Sequence, residues 1–310
     1  MRSSSPWLRL LFLLLGAAAV LALGSAIALC EFSVRIPSPF RTPPRAQWAE
    51  AVAARHSAAW REVEIHAADG APLRAWFLEP KAGNGEAVLV LHGVADTRNG
   101  TLAHASMLLR RGYKVLAPDS RAHGASGGAI VTFGILERDD VRRWVDWLRT
   151  SARPSAIHGL GISLGAAILL QTVNGGEPFR AVVAESPFAT FEHIAYDRVG
   201  QLTGLGAFGW SGAAALVAEP ALLYARVRYG LELRSVSPLE AVRRARLPIL
   251  LIHGTADDNV YPYHSRLLQA ANPQYVELWE APGSHHVRVL RDHPEEYERR
   301  ACAWFQGAAR

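Results

Sequence analysis

Cysteine is almost missing from this chain: Cys30 and Cys302 are the only two in 310 residues. They stand far apart and fit no metal-ligand spacing, which excludes a disulfide scaffold and a zinc ribbon. Glycine shows no period, so a collagen-like repeat is excluded. With 50% hydrophobic residues, neither wholesale disorder nor a coiled coil fits. No sign of charge dominates either: 33 Lys and Arg face 28 Asp and Glu, a formal net charge of +5 spread along the chain. The densest basic run, Arg142, Arg143, Arg149 and Arg153, has no nucleic-acid motif beside it. It reads as a solvated helix face, and no nucleic-acid partner is expected. His104 and His158 lack any metal-like pairing, and no internal repeat or low-complexity tract interrupts the chain.

What is present is length and apolar content. A chain of this size can hold two domains of about 150 residues or one α/β domain of roughly 250, and buries about three quarters of its unfolded surface. Residues 10–30 carry no charge and no proline over 21 positions. As a helix this run is about 31 Å long, close to the roughly 30 Å hydrocarbon core of a bilayer. Trp7 and Phe32 stand where interfacial aromatics would. A cleaved signal peptide is the competing reading, with Arg2 and Arg9 as the charged start and Ala26-Ile27-Ala28 as the cleavage site. It would leave the protein secreted or periplasmic. The apolar run exceeds the roughly 7–15 residues of a signal core, which favours an uncleaved single-pass anchor. Arg2 and Arg9 before it and Arg35, Arg41 and Arg45 after it leave the side of the membrane open. The expected layout is a short tail over 1–9, the anchor over 10–30, a linker over 31–46 holding Pro37, Pro39, Pro43 and Pro44, and one domain over 47–310.

Within that domain, alternating runs at 61–66 and 72–78 flank Ala68-Asp69-Gly70 and predict a β-hairpin. A continuous apolar run at 87–91 suits a strand buried on both faces. Further strands are predicted at 113–117, 156–160, 181–184, 249–252 and 275–279, with helical stretches such as 136–148 between them. Alternating strands and helices after an antiparallel start predict an α/β fold: a mixed, mostly parallel sheet of about eight strands flanked by helices. Residues 191–247 break the rhythm. Their longest apolar stretch, 202–217, is short for a membrane span, so a helical cap over the sheet's carboxyl edge is expected.

Gly161-Ile162-Ser163-Leu164-Gly165 follows a strand and opens a helix. A nucleophile on such a sharp turn needs small neighbours, and the helix N-terminus beneath it presents free N–H groups to a developing oxyanion. A serine hydroxyl needs a base to remove its proton. Downstream, the strand over 249–252 ends in His253-Gly254-Thr255-Ala256-Asp257-Asp258, and the last strand ends in Gly283-Ser284-His285-His286. The order Ser, Asp, His is that of an α/β-hydrolase triad. The loop after the third strand, Leu91-His92-Gly93-Val94, supplies a second backbone donor, so the N–H groups of Val94 and Leu164 form the expected oxyanion pair. His92, His123, His253 and Asp119 read as hydrogen-bonded loop residues, and Cys302 as a small buried hydrophobe.

These blocks, together with Asp119-Ser120-Arg121-Ala122-His123-Gly124 and Glu185-Ser186-Pro187-Phe188, carry a resemblance. From about residue 61 to 305 the chain resembles the α/β-hydrolase superfamily, in its bacterial branch of serine-aminopeptidase-like and esterase-like serine hydrolases. In that branch the acid usually stands three residues after a His-Gly pair, which selects Asp257 over Asp258. The base usually follows Gly-small-Gly, which selects His286, although His285 occupies a position where a small residue is common and stays an alternative base. The resemblance implies a Ser163-His286-Asp257 triad and an acyl-enzyme, with neither metal nor organic cofactor required. The apolar cap (Trp210, Leu223, Tyr224) points to a small or lipid-like ester or thioester with an apolar acyl part. The alternatives are a peptidase of the serine-aminopeptidase type and a non-catalytic binding protein on the same fold.

Overall fold

Strand residues that alternate between two buried faces need helices on both, and the chain provides them. In the computed structural model, which describes residues 6–36, 44–173, 179–204 and 214–307, β1 (Ala58–His66) and β2 (Pro72–Pro80) pair antiparallel. β2 then pairs antiparallel with β4 (Lys114–Pro118). From β4 onward the neighbours β3 (Ala87–Leu91), β5 (Ile157–Ile162), β6 (Val182–Glu185), β7 (Ile249–Gly254) and β8 (Val276–Ala281) are parallel, giving the order β1-β2-β4-β3-β5-β6-β7-β8. All eight expected strands are present, with ends shifted by at most three residues.

The core lies on both sides of the sheet. Ala87, Leu89 and Leu91 of β3 face one cluster, with α4 (Glu137–Trp147), α5 (Leu164–Leu170) and α8 (Pro238–Arg244). Val88 and Val90 face the other, with α2 (Ala46–Arg55), α3 (Leu102–Arg110) and α11 (Pro294–Phe305). Such double burial is why the parallel strands read as unbroken apolar runs. Each fully buried Leu or Val contributes roughly 1.5–3 kcal/mol.

The cap is helical where it is described. It comprises α6 (Phe191–Thr203), α7 (Ala215–Tyr229) and a 3-10 turn at Leu233–Ser235. Trp210 lies outside the described residues, as do Pro37, Pro39 and Pro43. α8, inside the expected insertion, packs on α5 and on α9 (Tyr263–Ala271), so it belongs to the layer beneath the cap.

The N-terminal helix α1 spans Pro6–Val34, longer at both ends than the apolar run 10–30. Glu31 ends the run of uncharged residues without ending the helix, because its carboxylate accepts hydrogen bonds from Tyr224 Oη (2.8 Å) and Tyr229 Oη (2.6 Å) of α7. Part of the segment expected as linker is therefore helix docked on the domain, and the Val34 carbonyl accepts from Val131 N at 2.8 Å. By length and composition α1 is the one described helix able to cross a membrane.

Candidate active site

The sheet order itself picks out one edge. After β3 the chain turns one way to β4, and after β4 it crosses back to β5, so β3 and β5 are neighbours that leave in opposite directions. Crevices at the carboxyl ends of such strands are where open α/β sheets bind ligands. Leu91 pairs in register with Gly161, which brings the loop His92-Gly93-Val94 alongside Ser163.

Ser163 stands between β5 and α5 at φ 51° and ψ −112°, a strained conformation for a residue with a side chain. The turn closes only because its flanks are glycine. A Cβ on Gly161 would lie 2.5 Å from Ala166 Cα, and one on Gly165 would lie 2.5 Å from the Leu91 carbonyl oxygen. Ser163 N donates to the Glu185 carbonyl at 2.8 Å, which fixes the elbow against β6.

Two loops bring partners to this serine. With the His286 ring protonated on Nδ1, Ser163 Oγ donates to Nε2 at 3.0 Å and Nδ1 donates to Asp257 Oδ2 at 2.8 Å. Asp257 Oδ1 accepts from Asn259 N (3.0 Å) and Val260 N (2.9 Å). Burial pushes the Asp257 carboxyl upward, but hydrogen bonds from His253, His286 and Val260 N outweigh it and hold the group well below the usual carboxylate range. His253, read from sequence as structural, is an additional brace. Its Nε2–H points to the Val260 carbonyl (2.8 Å) and to Asp257 Oδ2 (3.2 Å), while Nδ1 accepts from Ser265 Oγ at 2.7 Å.

The neighbouring candidates fall elsewhere. The His285 side chain is 62% exposed, with Nδ1 4.0 Å from Asp258 Oδ1, so the structure brings His286 and not His285 to Ser163. The two adjacent rings diverge on a turn whose next residue, Val287, has φ 50°.

The loop carrying Val94 is held by two buried histidines. His92 Nδ1 donates to the Gly93 carbonyl (2.7 Å) while Nε2 accepts from Ser120 N (3.0 Å). His123 Nδ1 donates to the Arg121 carbonyl (2.9 Å) while Nε2 accepts from Ala95 N (3.3 Å). Each ring must be neutral to accept, and burial pushes both pKa values down to about 4. Asp119 accepts from Arg98 N (2.9 Å) and Ala125 N (2.8 Å), a loop-holding role as its position suggested. Cys302 is buried, and burial raises its thiol to about 11.

Ser163 opens into a cavity of about 430 Å³ whose rim includes Val94 and Leu164. Leu164 begins α5, and first-turn N–H groups have no partner within their own helix. Aromatic and aliphatic side chains make most of the wall, among them Phe133, Phe188, Phe191 and Leu222. Two lining groups carry no sequence signal. Arg198 of α6 is the only charged side chain among the described lining residues, and it donates to Gln201 Oε1 (2.9 Å) and to Asn259 Oδ1. The end of α1 also lines the cavity, through Leu29, Phe32, Ser33 and Val34. Behind the site, Glu185 is fully buried and accepts from Val289 N at 3.2 Å, at the start of α10 (Val289–Asp292).

A mostly parallel sheet with a serine elbow at its switch point is the architecture of a hydrolase fold. The chain belongs to the alpha/beta hydrolase family, whose model matches residues 87–300. An esterase of Pyrococcus furiosus, Pf2001, superposes with a TM-score of 0.63 at 28% identity, over 82% of this chain and 94% of the esterase. The uncharacterized protein YqkD of Bacillus subtilis is 29% identical over 181 residues, 56% of this chain. The lysophosphatidylserine lipase ABHD12 of Danio rerio is 26% identical over 251 residues, 75% of this chain. The matches span 55% and 60% of the length of these two relatives.

Proposed function

We propose that the protein is a membrane-anchored serine hydrolase that cleaves a carboxylic ester or thioester with an apolar acyl part. One observation carries this reading: Ser163, hydrogen-bonded to His286 and through it to Asp257, lines an apolar cavity of about 430 Å³. Ser163 Oγ attacks the carbonyl carbon while His286 Nε2 takes its proton. Asp257 fixes the ring's tautomer and stabilises the imidazolium. The N–H groups of Val94 and Leu164 stabilise the tetrahedral oxyanion. His286 then protonates the leaving alcohol or thiol, and an acyl-enzyme remains. Water, deprotonated by the same ring, releases the acid and restores Ser163. No step needs a metal or cofactor.

The similarity to an esterase and a lipase supports an ester substrate. The length and composition of α1 support an uncleaved anchor with residues 47–310 as the catalytic domain. Fluorophosphonate labelling tests the reading. The wild-type protein is expected to label, and Ser163→Ala and His286→Ala are expected to lose labelling. A folded wild type that stays unlabelled, or labelling that survives in Ser163→Ala, sinks it.

A further inference from the structure

α1 changes character along its length. Pro6 to Leu21 are exposed, and burial sets in only with Ala26, Cys30 and Val34, one stripe at i, i+4 and i+8. Its uncharged part from Leu10 to Ser25 rises about 24 Å, most of the roughly 30 Å of a bilayer's hydrocarbon core, with Arg9 at its outer end. The two turns that follow are seated on the domain. Glu31 is held by Tyr224 and Tyr229, Arg35 lies 3.4 Å from Glu31, and the Val34 carbonyl is bound by Val131 N. These same turns reach the site: Leu29, Phe32, Ser33 and Val34 line the cavity that reaches Ser163, with Phe32 still largely exposed on the outside.

A helix that only tethered the domain would need no contact with the site. Here the cavity begins where the spanning length ends. α7, which packs along α1, forms the adjoining wall through Ala218, Ala221 and Leu222. On its outer side Leu216, Leu223 and Val227 are bare, at i, i+7 and i+11 on one face. An exposed apolar face on a helix packed against a spanning helix belongs in lipid. The volume of about 430 Å³ is within the range of small-ligand sites, and its lining suits an alkyl chain.

Resting on the serine-hydrolase reading, we infer that the last two turns of α1 are a wall of the acyl-binding site. The substrate is accordingly a single-chain lipid ester that passes from the bilayer between α1 and α7 to Ser163.

The test uses the full-length protein in phosphatidylcholine nanodiscs. A fluorophosphonate with a long alkyl chain ending in a diazirine is attached to Ser163, irradiated, and the crosslinked peptide is sequenced. Crosslinks within residues 29–36 are expected, and crosslinks confined to other segments overturn the inference. Leu29→Trp and Ser33→Trp are then compared with Leu14→Trp, on the exposed part of the same helix. The ratio of kcat/KM for p-nitrophenyl laurate over p-nitrophenyl butyrate is expected to fall at least tenfold in the first two and to stay within twofold of wild type in the third. An unchanged ratio in folded Leu29→Trp and Ser33→Trp, in a protein that labels and turns over, overturns the acyl wall alone. A wild type that does not label at Ser163 overturns the hydrolase reading with it. If the tryptophan variants fail to fold, the wild-type crosslinks decide.

Discussion

His285 and His286 are adjacent, chemically identical and equally placed after the last strand, yet only one ring reaches the serine. The backbone turn aims His286 inward onto Ser163 and Asp257, while His285 stands in solvent near Asp258. His285→Ala should therefore leave kcat for p-nitrophenyl butyrate within about threefold of wild type. On the proposed mechanism, Asp257→Asn keeps the shape of the site but removes the charge that sets the His286 tautomer, and a fall in kcat of about 10⁴ is expected. Steady-state kinetics on both variants check this; an Asp257→Asn enzyme within tenfold of wild type would contradict the roles assigned.

At the scale of elements, the strand–elbow–helix unit and the N-terminal helix behave differently. The elbow is a rigid joint: β5 enters against β3 and β6, α5 leaves beneath Ser163, and Gly165 lies against the Leu91 carbonyl. Gly165→Ala places a methyl 2.5 Å from that oxygen, a contact with backbone that no side-chain rotation relieves. The cost is about 1–3 kcal/mol, as for other overpacked sites. A lower thermal midpoint together with loss of fluorophosphonate labelling is expected; a variant matching wild type in both would show that the elbow has slack. α1, by contrast, shows how a helix outlasts its apolar run. A carboxylate that would be costly in lipid is paired with two tyrosines of α7.

For the whole molecule, the consequence is a pH dependence of stability. His92 and His123 titrate near 6.5 in the unfolded chain and at about 4 when folded, because burial disfavours their charged forms. Between those values the unfolded chain binds more protons, so stability rises with pH across the window. It is fully present above about pH 6.5 and is lost as pH falls toward 4, by up to roughly 3 kcal/mol per histidine. Below that, Asp257, whose folded pKa is depressed, continues the loss in the same direction as its carboxylate is protonated. Urea midpoints should fall from pH 7.5 to pH 4.5, with a shallower slope in His123→Gln. A flat profile in the wild type would mean that these rings are not held neutral.

Local chemistry made much of this protein legible in its sequence. Apolar runs bounded by turn residues placed all eight strands, and the Gly-x-Ser-x-Gly turn between strand and helix placed the elbow, because both patterns depend on neighbours a few residues apart. The order Ser163, Asp257, His286 then follows from which strand ends carry them. What needed tertiary structure depends on contacts across large separations. The direction of the His286 ring rests on Ser163 and Asp257, the continuation of α1 past Glu31 rests on Tyr224 and Tyr229, and Arg198 meets the acid loop through Asn259. No period encodes such meetings, and the Gly283-Ser284-His285-His286 pattern favoured His286 while leaving His285 open. They arise only when the cap, the sheet edge and the end of α1 are brought together around one cavity.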